Sequence, residues 1–252
     1  MSSRVLITGA AGIVGSALWP RLTDTFDLRL LDLRAVADVP AGVDVLVGDI
    51  NDPDLLADAV CDVSAVIHLA AVPDPAASWT QLVDPNLNGV RSVMAAASAA
   101  GTPKVVFASS CHASGLYDVD RVSNVDPSWP ARPCCPYGVS KVYGETVGRY
   151  FAERTDLRVV NLRIGLAWTR PLGALGLQVW LSPDDMAALF TAAVRADIRY
   201  GTYFAASANT RLTWDLTPGM RDLGFFPKDN AEDLAHETDL SIEGPECYRG
   251  AV

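Results

Sequence analysis

Tyr137-Gly138-Val139-Ser140-Lys141 sets a phenol and an ammonium four residues apart, on one face of any helix that carries them. An ammonium beside a phenol favours the phenolate, so the pair can act as acid or base toward an alcohol or carbonyl oxygen. A serine that holds the same oxygen completes such a centre. Ser109 and Ser110 stand where the apolar run Lys104 to Ser109, which reads as a strand, comes to its end. A lone Tyr-x-x-x-Lys arises often by chance, and its weight here comes from the residues around it.

Gly9-Ala10-Ala11-Gly12-Ile13-Val14-Gly15 lies between a β-branched run, Arg4 to Thr8, and a predicted helix, Gly12 to Leu22, in which Pro20 must remove a backbone donor. Glycines there permit a tight turn and let the backbone approach a pyrophosphate, with Ile13 at the start of the helix that faces it. The spacing is G-x-x-G-x-x-G, a weak signal alone. Asp32 strengthens it. It ends a predicted second strand, Asp27 to Leu33, twenty residues past Gly12, where a carboxylate accepts both ribose hydroxyls and repels a 2′-phosphate. NAD is therefore expected over NADP, although Arg34 just beyond offers a cation to a phosphate. Asp49 and Ile50, after a third predicted strand, Val43 to Val47, are positioned to meet an adenine; an ordinary capping role for Asp49 is an equal alternative.

Further strands are expected at Ala65 to Ala71 and Leu157 to Ile164, with helices at 53–60, 86–100 and Tyr137 to Glu153. Strand and helix alternate at short spacing. That rhythm implies parallel strands with right-handed crossovers, an α/β Rossmann-type doubly wound sheet. After Gly165 the rhythm breaks into a Gly-rich loop with tryptophans, followed by a helix from Pro183 that Ser182 is placed to cap, with Asp184 and Asp185 in its first turn. Residues 198–252 read as short strand-like pieces. The chain is thus expected to be one compact unit, with a nucleotide-binding core over 1–164 and a small C-terminal substrate lobe mainly over 165–252.

The chain has 252 residues, half of them hydrophobic, with 20 Lys and Arg against 30 Asp and Glu, for a net charge of −10. Disorder is excluded by that composition, and scattered cations make nucleic acid or an anionic membrane an unexpected partner. No apolar run reaches the ~18–20 residues of a membrane span, and the N-terminus lacks a signal-like leader, so a soluble cytoplasmic protein is expected. Cys61, Cys111, Cys134, Cys135 and Cys247 lack C-x-x-C spacing. Neither disulfide nor metal is expected. His68 sits in an apolar strand and reads as a core residue. Trp168, Trp180 and Trp214 suit a pocket wall or the core equally.

With these motifs in order, the chain resembles the short-chain dehydrogenase/reductase superfamily, extended branch. Residue by residue, the resemblance implies that Gly9, Gly12 and Gly15 form the dinucleotide turn, that Leu69, Ala70 and Ala71 line the cofactor, and that Asn86 belongs to the helix motif of the cofactor site. Ser110 matches the catalytic serine or threonine, Tyr137 the general acid/base and Lys141 the ribose-binding lysine. Cys111-His112 replaces the Asp-Glu pair of the dehydratases, which argues against dehydration.

Several segments look like those of uronate dehydrogenases, which oxidise the anomeric carbon of a sugar acid with NAD. They include 106–112, 137–141, Arg163-Ile164-Gly165, 180–185, 206–209 and 223–232. Ile164 joins the cofactor set, and His112 and Cys111, beside Ser110, are candidate substrate contacts, with a structural histidine and a packed small residue as the respective alternatives. The resemblance also implies a homo-oligomer packed through the helices at 86–100 and 137–153. The positions at which that family grips its substrate are Pro73, Leu166 and Leu175 here, and the nearest cation is Arg170. A small-molecule alcohol, sugar or otherwise, is the expected substrate. A sugar epimerase that keeps its NAD, or a non-catalytic NAD-binding sensor, are the alternatives.

Overall fold

Val5, Leu6 and Ile7 have no solvent-accessible surface, because the sheet that begins with them is covered on both faces. The computed structural model describes residues 3–248. Along them come β1 (Arg4–Thr8), α1 (Ile13–Leu18), β2 (Asp27–Asp32), β3 (Asp44–Val47), α2 (Pro53–Val60), β4 (Ala65–His68), α3 (Trp79–Leu82), α4 (Gly89–Ala99) and β5 (Lys104–Ser110). There follow α5 (Leu116–Val119), α6 (Pro136–Arg154), β6 (Arg158–Ile164), β7 (Leu166–Ala167), α7 (Gly173–Val179), β8 (Trp180–Leu181), α8 (Pro183–Arg195), β9 (Tyr200–Ala205) and α9 (Thr217–Leu223).

Seven strands form one parallel sheet in the order β3-β2-β1-β4-β5-β6-β9. Side chains alternate across it. Val5, Ile7, Leu28 and Leu30 pack with Leu18 of α1, with Met186, Leu189 and Phe190 of α8, and with Leu223 of α9. Leu6, Leu31, Val66 and Phe107 pack on the other face with Leu56 of α2, Val93 and Met94 of α4, and Ala152 of α6. The strand order reverses between β1 and β4, which opens a crevice at their carboxyl ends, where open α/β sheets bind ligands.

Local chemistry explains where the elements stop. α1 ends at Leu18, and Trp19–Arg21 continues as a 3-10 turn with Pro20 in its first positions. Ser182 caps α8, its Oγ accepting the Asp185 amide at 3.0 Å. The helix expected from residue 86 starts earlier. Ser78 and Gln81 form a capping box for α3, and a π-helical turn, Val83–Asn88, carries Pro85 before α4 begins. β4 is shorter than expected: Leu69, Ala70 and Ala71 leave the sheet after His68.

The sheet does not end at residue 164. β9 pairs in parallel with β6 from Val159↔Tyr200 to Ile164↔Ala205, and α8 is the crossover between them, so 183–205 belongs to the main sheet and its covering layer. The loop expected over 165–181 contains the β7–β8 pair and α7. The smaller lobe is assembled from separated segments. Cys111, Val125, Val179, Ala206 and Trp214 bury one another, Trp214 stacks on Phe204 at 4.7 Å, and Val125 bridges Trp214. Trp214 and Trp180 are thus core residues, whereas Trp168 is 41% exposed. No helix among the described residues is long and apolar enough to cross a membrane.

Candidate active site

The glycine turn is fixed by close approach to the rest of the crevice. Gly9 has φ +74°, and a Cβ there would lie 2.6 Å from the Ala70 nitrogen; one on Gly15 would lie 2.3 Å from the Gly9 oxygen. A side chain at Gly9 would push the turn off the chain that follows β4, and one at Gly15 would push the helix start off the turn itself. Asp32 closes the turn from the β2 side: its Oδ2 accepts the Ala11 amide at 2.9 Å and its Oδ1 the Arg34 amide at 3.0 Å. Each oxygen keeps a lone pair for a ribose hydroxyl. Arg34 donates to the Ala11 carbonyl at 3.0 Å, with its side chain 72% exposed.

A crevice that receives a planar aromatic ring should leave apolar side chains uncovered. Ile13 is 57% exposed, and Leu33 and Val47, at the carboxyl ends of β2 and β3, are 67% and 54% exposed. Asp49 sits in the neighbouring turn and accepts the Asn51 amide at 2.8 Å; the cap of α2 is Asp52, so the expected capping alternative for Asp49 does not hold. Ile50 is buried rather than open to the crevice, against Gly89.

Two residues expected at the cofactor have their polar atoms engaged within the protein. Asn86 accepts the Val72 amide at 2.8 Å and donates to the Val72 carbonyl and the Ser140 hydroxyl, which uses both amide hydrogens. It positions the chain after β4 against α6. The Ser109 hydroxyl donates to Glu145 Oε1 at 2.6 Å, facing away from the crevice. Glu145 in turn pairs bidentately with Arg163, at 2.9 and 2.8 Å, and both are almost wholly buried. The sequence reading missed this ion pair, although Glu145 repeats the four-residue step from Tyr137 to Lys141.

Ser110, Tyr137 and Lys141 converge at the end of β5. The Tyr137 ring is buried among Val72, Ala77, Leu82 and Cys135, and burial raises its hydroxyl above the usual phenol range, opposed by a hydrogen bond with Ser110. Lys141 donates to the Ala108 carbonyl at 2.8 Å, and its ammonium lies 5.5 Å from the centre of the Tyr137 ring. Burial pulls Lys141 down to about 7, against the opposing charge of Glu145. Ile164, ending β6, is paired with Ser110 across the sheet. His68 behaves as a core residue: its Nδ1 meets Thr8 Oγ1 at 2.7 Å, and burial, then the Lys141 charge, lowers it to about 3.

The expected substrate residues are not arranged as the sequence suggested. Arg170 forms an ion pair with Glu237 on the surface of the smaller lobe, while Leu166 and Leu175, half-buried, pack against that lobe's apolar core. Cys111 is buried with the Tyr248 hydroxyl 3.2 Å from its sulfur. Burial pushes its thiol up to about 12. His112 points its Nδ1 at three sulfurs, Cys134 at 3.2 Å, Cys247 at 3.4 Å and Cys135 at 3.5 Å. The fold thus gathers four potential metal ligands where the sequence showed none clustered. Adjacent cysteines and a partner more than a hundred positions away carry no recognisable spacing, and only the fold brings them together.

Residues 5–167 match the model of the NAD dependent epimerase/dehydratase family. The chain belongs to that family. Among curated members it is 37% identical, over 94% of its length and 97% of the relative's, to an NAD-dependent glucose-6-phosphate dehydrogenase of Haloferax volcanii. It is 36% identical to a uronate dehydrogenase of Pseudomonas putida, over 91% of this chain and 85% of that one. The crystal structure of uronate dehydrogenase from Agrobacterium tumefaciens superposes with a TM-score of 0.87 at 31% identity, covering 96% of this chain and 90% of that one. A mutant of that enzyme complexed with NAD gives 0.88. This member of the epimerase/dehydratase family thus has the α/β sheet of the solved dehydrogenases along almost its full length.

Proposed function

We propose that this chain is an NAD-dependent dehydrogenase that oxidises a hydroxyl of an uncharged sugar, at the anomeric carbon. The observation that carries the reading is the convergence of Ser110, Tyr137 and Lys141 beside the glycine turn, in a buried corner of the crevice. Gly9, Gly12, Gly15, the exposed Ile13 and the Asp32 carboxylate suit a dinucleotide, with Leu69, Ala70 and Ala71 as the wall facing the turn. NAD, when bound, would supply the hydride acceptor.

In this reading the Ser110 hydroxyl orients the substrate oxygen and Tyr137 removes its proton. Lys141, anchored on the Ala108 carbonyl, has two further N–H groups for ribose hydroxyls and favours the phenolate when charged. Asp32 favours NAD, and Arg34, tied to the Ala11 carbonyl, is the residue a 2′-phosphate would have to recruit. The preference for an uncharged sugar rests on Leu166 and Leu175 packed against an apolar core and on Arg170 paired with Glu237, which leave no arginine among these positions for a carboxylate. The relatives named above act on a sugar phosphate and on uronates, so charge is the property that separates the candidates.

The test is NADH formation, followed in the near ultraviolet, with L-arabinose, D-glucose, D-glucose 6-phosphate, D-glucuronate and D-galacturonate, and with NADP in parallel. The expected result is turnover with NAD and an uncharged aldose well above that with either uronate. A uronate as the fastest substrate would overturn the charge argument and point to Arg170 leaving Glu237. No NADH from any sugar, with NAD binding measured separately, would overturn the dehydrogenase reading.

A further inference from the structure

His112, Cys134, Cys135 and Cys247 come from three distant parts of the chain, yet their ligand atoms all lie within 4.8 Å of one another. His112 follows the end of β5, Cys135 caps α6, and Cys247 lies in the C-terminal segment. The three sulfurs are 3.2–3.5 Å from one nitrogen, His112 Nδ1, and the Cys134 and Cys247 sulfurs are 3.5 Å apart. A tetrahedral zinc ion, about 2.3 Å from sulfur and about 2.0 Å from nitrogen, holds its ligands roughly 3.5–3.8 Å apart. Four of the six ligand–ligand distances thus lie at 3.2–3.5 Å, close to the edges of a zinc tetrahedron, and every pair lies within 4.8 Å.

Simple packing of small apolar side chains does not account for this. Thiols fill core gaps without converging on an imidazole nitrogen. A disulfide does not account for it either, since all five cysteines are free and a S–S bond is about 2.05 Å long. A second observation concerns the C-terminal segment itself. The Tyr248 ring meets the His112 ring edge-on at 5.0 Å and its hydroxyl reaches Cys111, so the segment that delivers Cys247 is docked beside the cluster.

We propose that these four residues form a closed Cys3His site for a structural zinc ion, which clamps the C-terminal segment to the end of β5 and the start of α6. Three sulfurs and one imidazole favour zinc over harder cations. With all four positions supplied by the protein, no coordination site is left for water or substrate. Each thiol loses its proton as it binds the metal. The site adjoins the catalytic corner, the His112 and Tyr137 rings being 5.6 Å apart, so the clamp sets the wall of the substrate pocket. His112 Nδ1 is committed to the metal and does not reach the sugar.

Metal analysis of the untagged, full-length protein decides the matter, in the absence of NAD and sugar, so the outcome is independent of the dehydrogenase reading. The expected result is about one zinc per chain. Cobalt in its place should give the intense visible bands of a tetrahedral thiolate site. Losing a partner that merely supports a ligand weakens binding about 10–100-fold. Loss of a ligand in Cys247→Ser or Cys134→Ser should weaken zinc by at least that much in competition with a chromophoric chelator. Cys61→Ser, at an exposed position outside the cluster, should leave the stoichiometry intact. Metal-free protein with every thiol open to Ellman's reagent would overturn the proposal. So would a Cys134–Cys247 disulfide in the non-reduced peptide map, or zinc that both cluster variants retain unchanged.

Discussion

Tyr137, the proposed acid/base group, is held under opposing pressures by burial and by its neighbours. Its packing among Val72, Ala77 and Leu82 disfavours the phenolate, and Ser110 and a charged Lys141 favour it. Replacing Tyr137 by Phe keeps the ring and its packing and removes only the proton acceptor. Turnover should fall about 10²–10⁴-fold, the usual span for one acid/base group, with NAD affinity nearly unchanged. Steady-state kinetics together with cofactor titration check both halves; normal turnover would remove Tyr137 from its role. Tyr137, Lys141, Ser110, Asp32 and the glycines were legible in the sequence because each is a residue type whose chemistry depends on local spacing. The thiol cluster was not. Its ligand positions, 112, 134, 135 and 247, obey no period, since contacts made by folding back of distant loops leave no local trace.

At the scale of elements, Glu145 and Arg163 join three pieces of the core. Glu145 lies on α6, Arg163 on β6, and Ser109 of β5 adds its hydroxyl to the same carboxylate. Both charges are buried, so their value lies in mutual satisfaction. Glu145→Gln leaves the guanidinium without its partner and should destabilise the fold by about 3–5 kcal/mol, read from urea unfolding. A loss under about 1 kcal/mol would mean that water reaches the pair. Most strands and helices were legible because apolar runs and helical spacing are local signals, and α2 and β1 fall where the pattern puts them. The early start at Ser78 was missed because the π-helical turn and Pro85 break the 3.6-residue period that marks a helix. β9 was missed as a member of the main sheet because its partner β6 lies beyond a long excursion into the smaller lobe.

For the molecule as a whole, buried Lys141 links folding to pH. Its folded value, about 7, lies below the ordinary 10.5, so between these limits the unfolded chain binds the extra proton. Stability from this group is complete above 10.5, is lost as pH falls toward 7, and changes no further below. Lys104, whose ammonium donates to the carbonyls at the end of α8, is also lowered, to about 8, by burial first. Comparison with Lys141→Met separates the two. From pH 7 to 9 the stability of the ligand-free wild type should gain on the variant by up to ~1.4 kcal/mol per unit, measured by urea unfolding at each pH. Parallel curves would show that Lys141 stays charged in the fold.

The thiol cluster also has a consequence for the order of events during synthesis. His112 and Cys247 are 135 residues apart, so the imidazole, Cys134 and Cys135 emerge from the ribosome long before the last sulfur is made. The last strand of the seven-stranded sheet ends at Ala205, but its core also takes Leu223 and Phe225, so the stretch that completes the core lies just ahead of Cys247 in the chain. With the proposed zinc site, Cys134 and Cys135 would lack their third sulfur until Cys247 has been made.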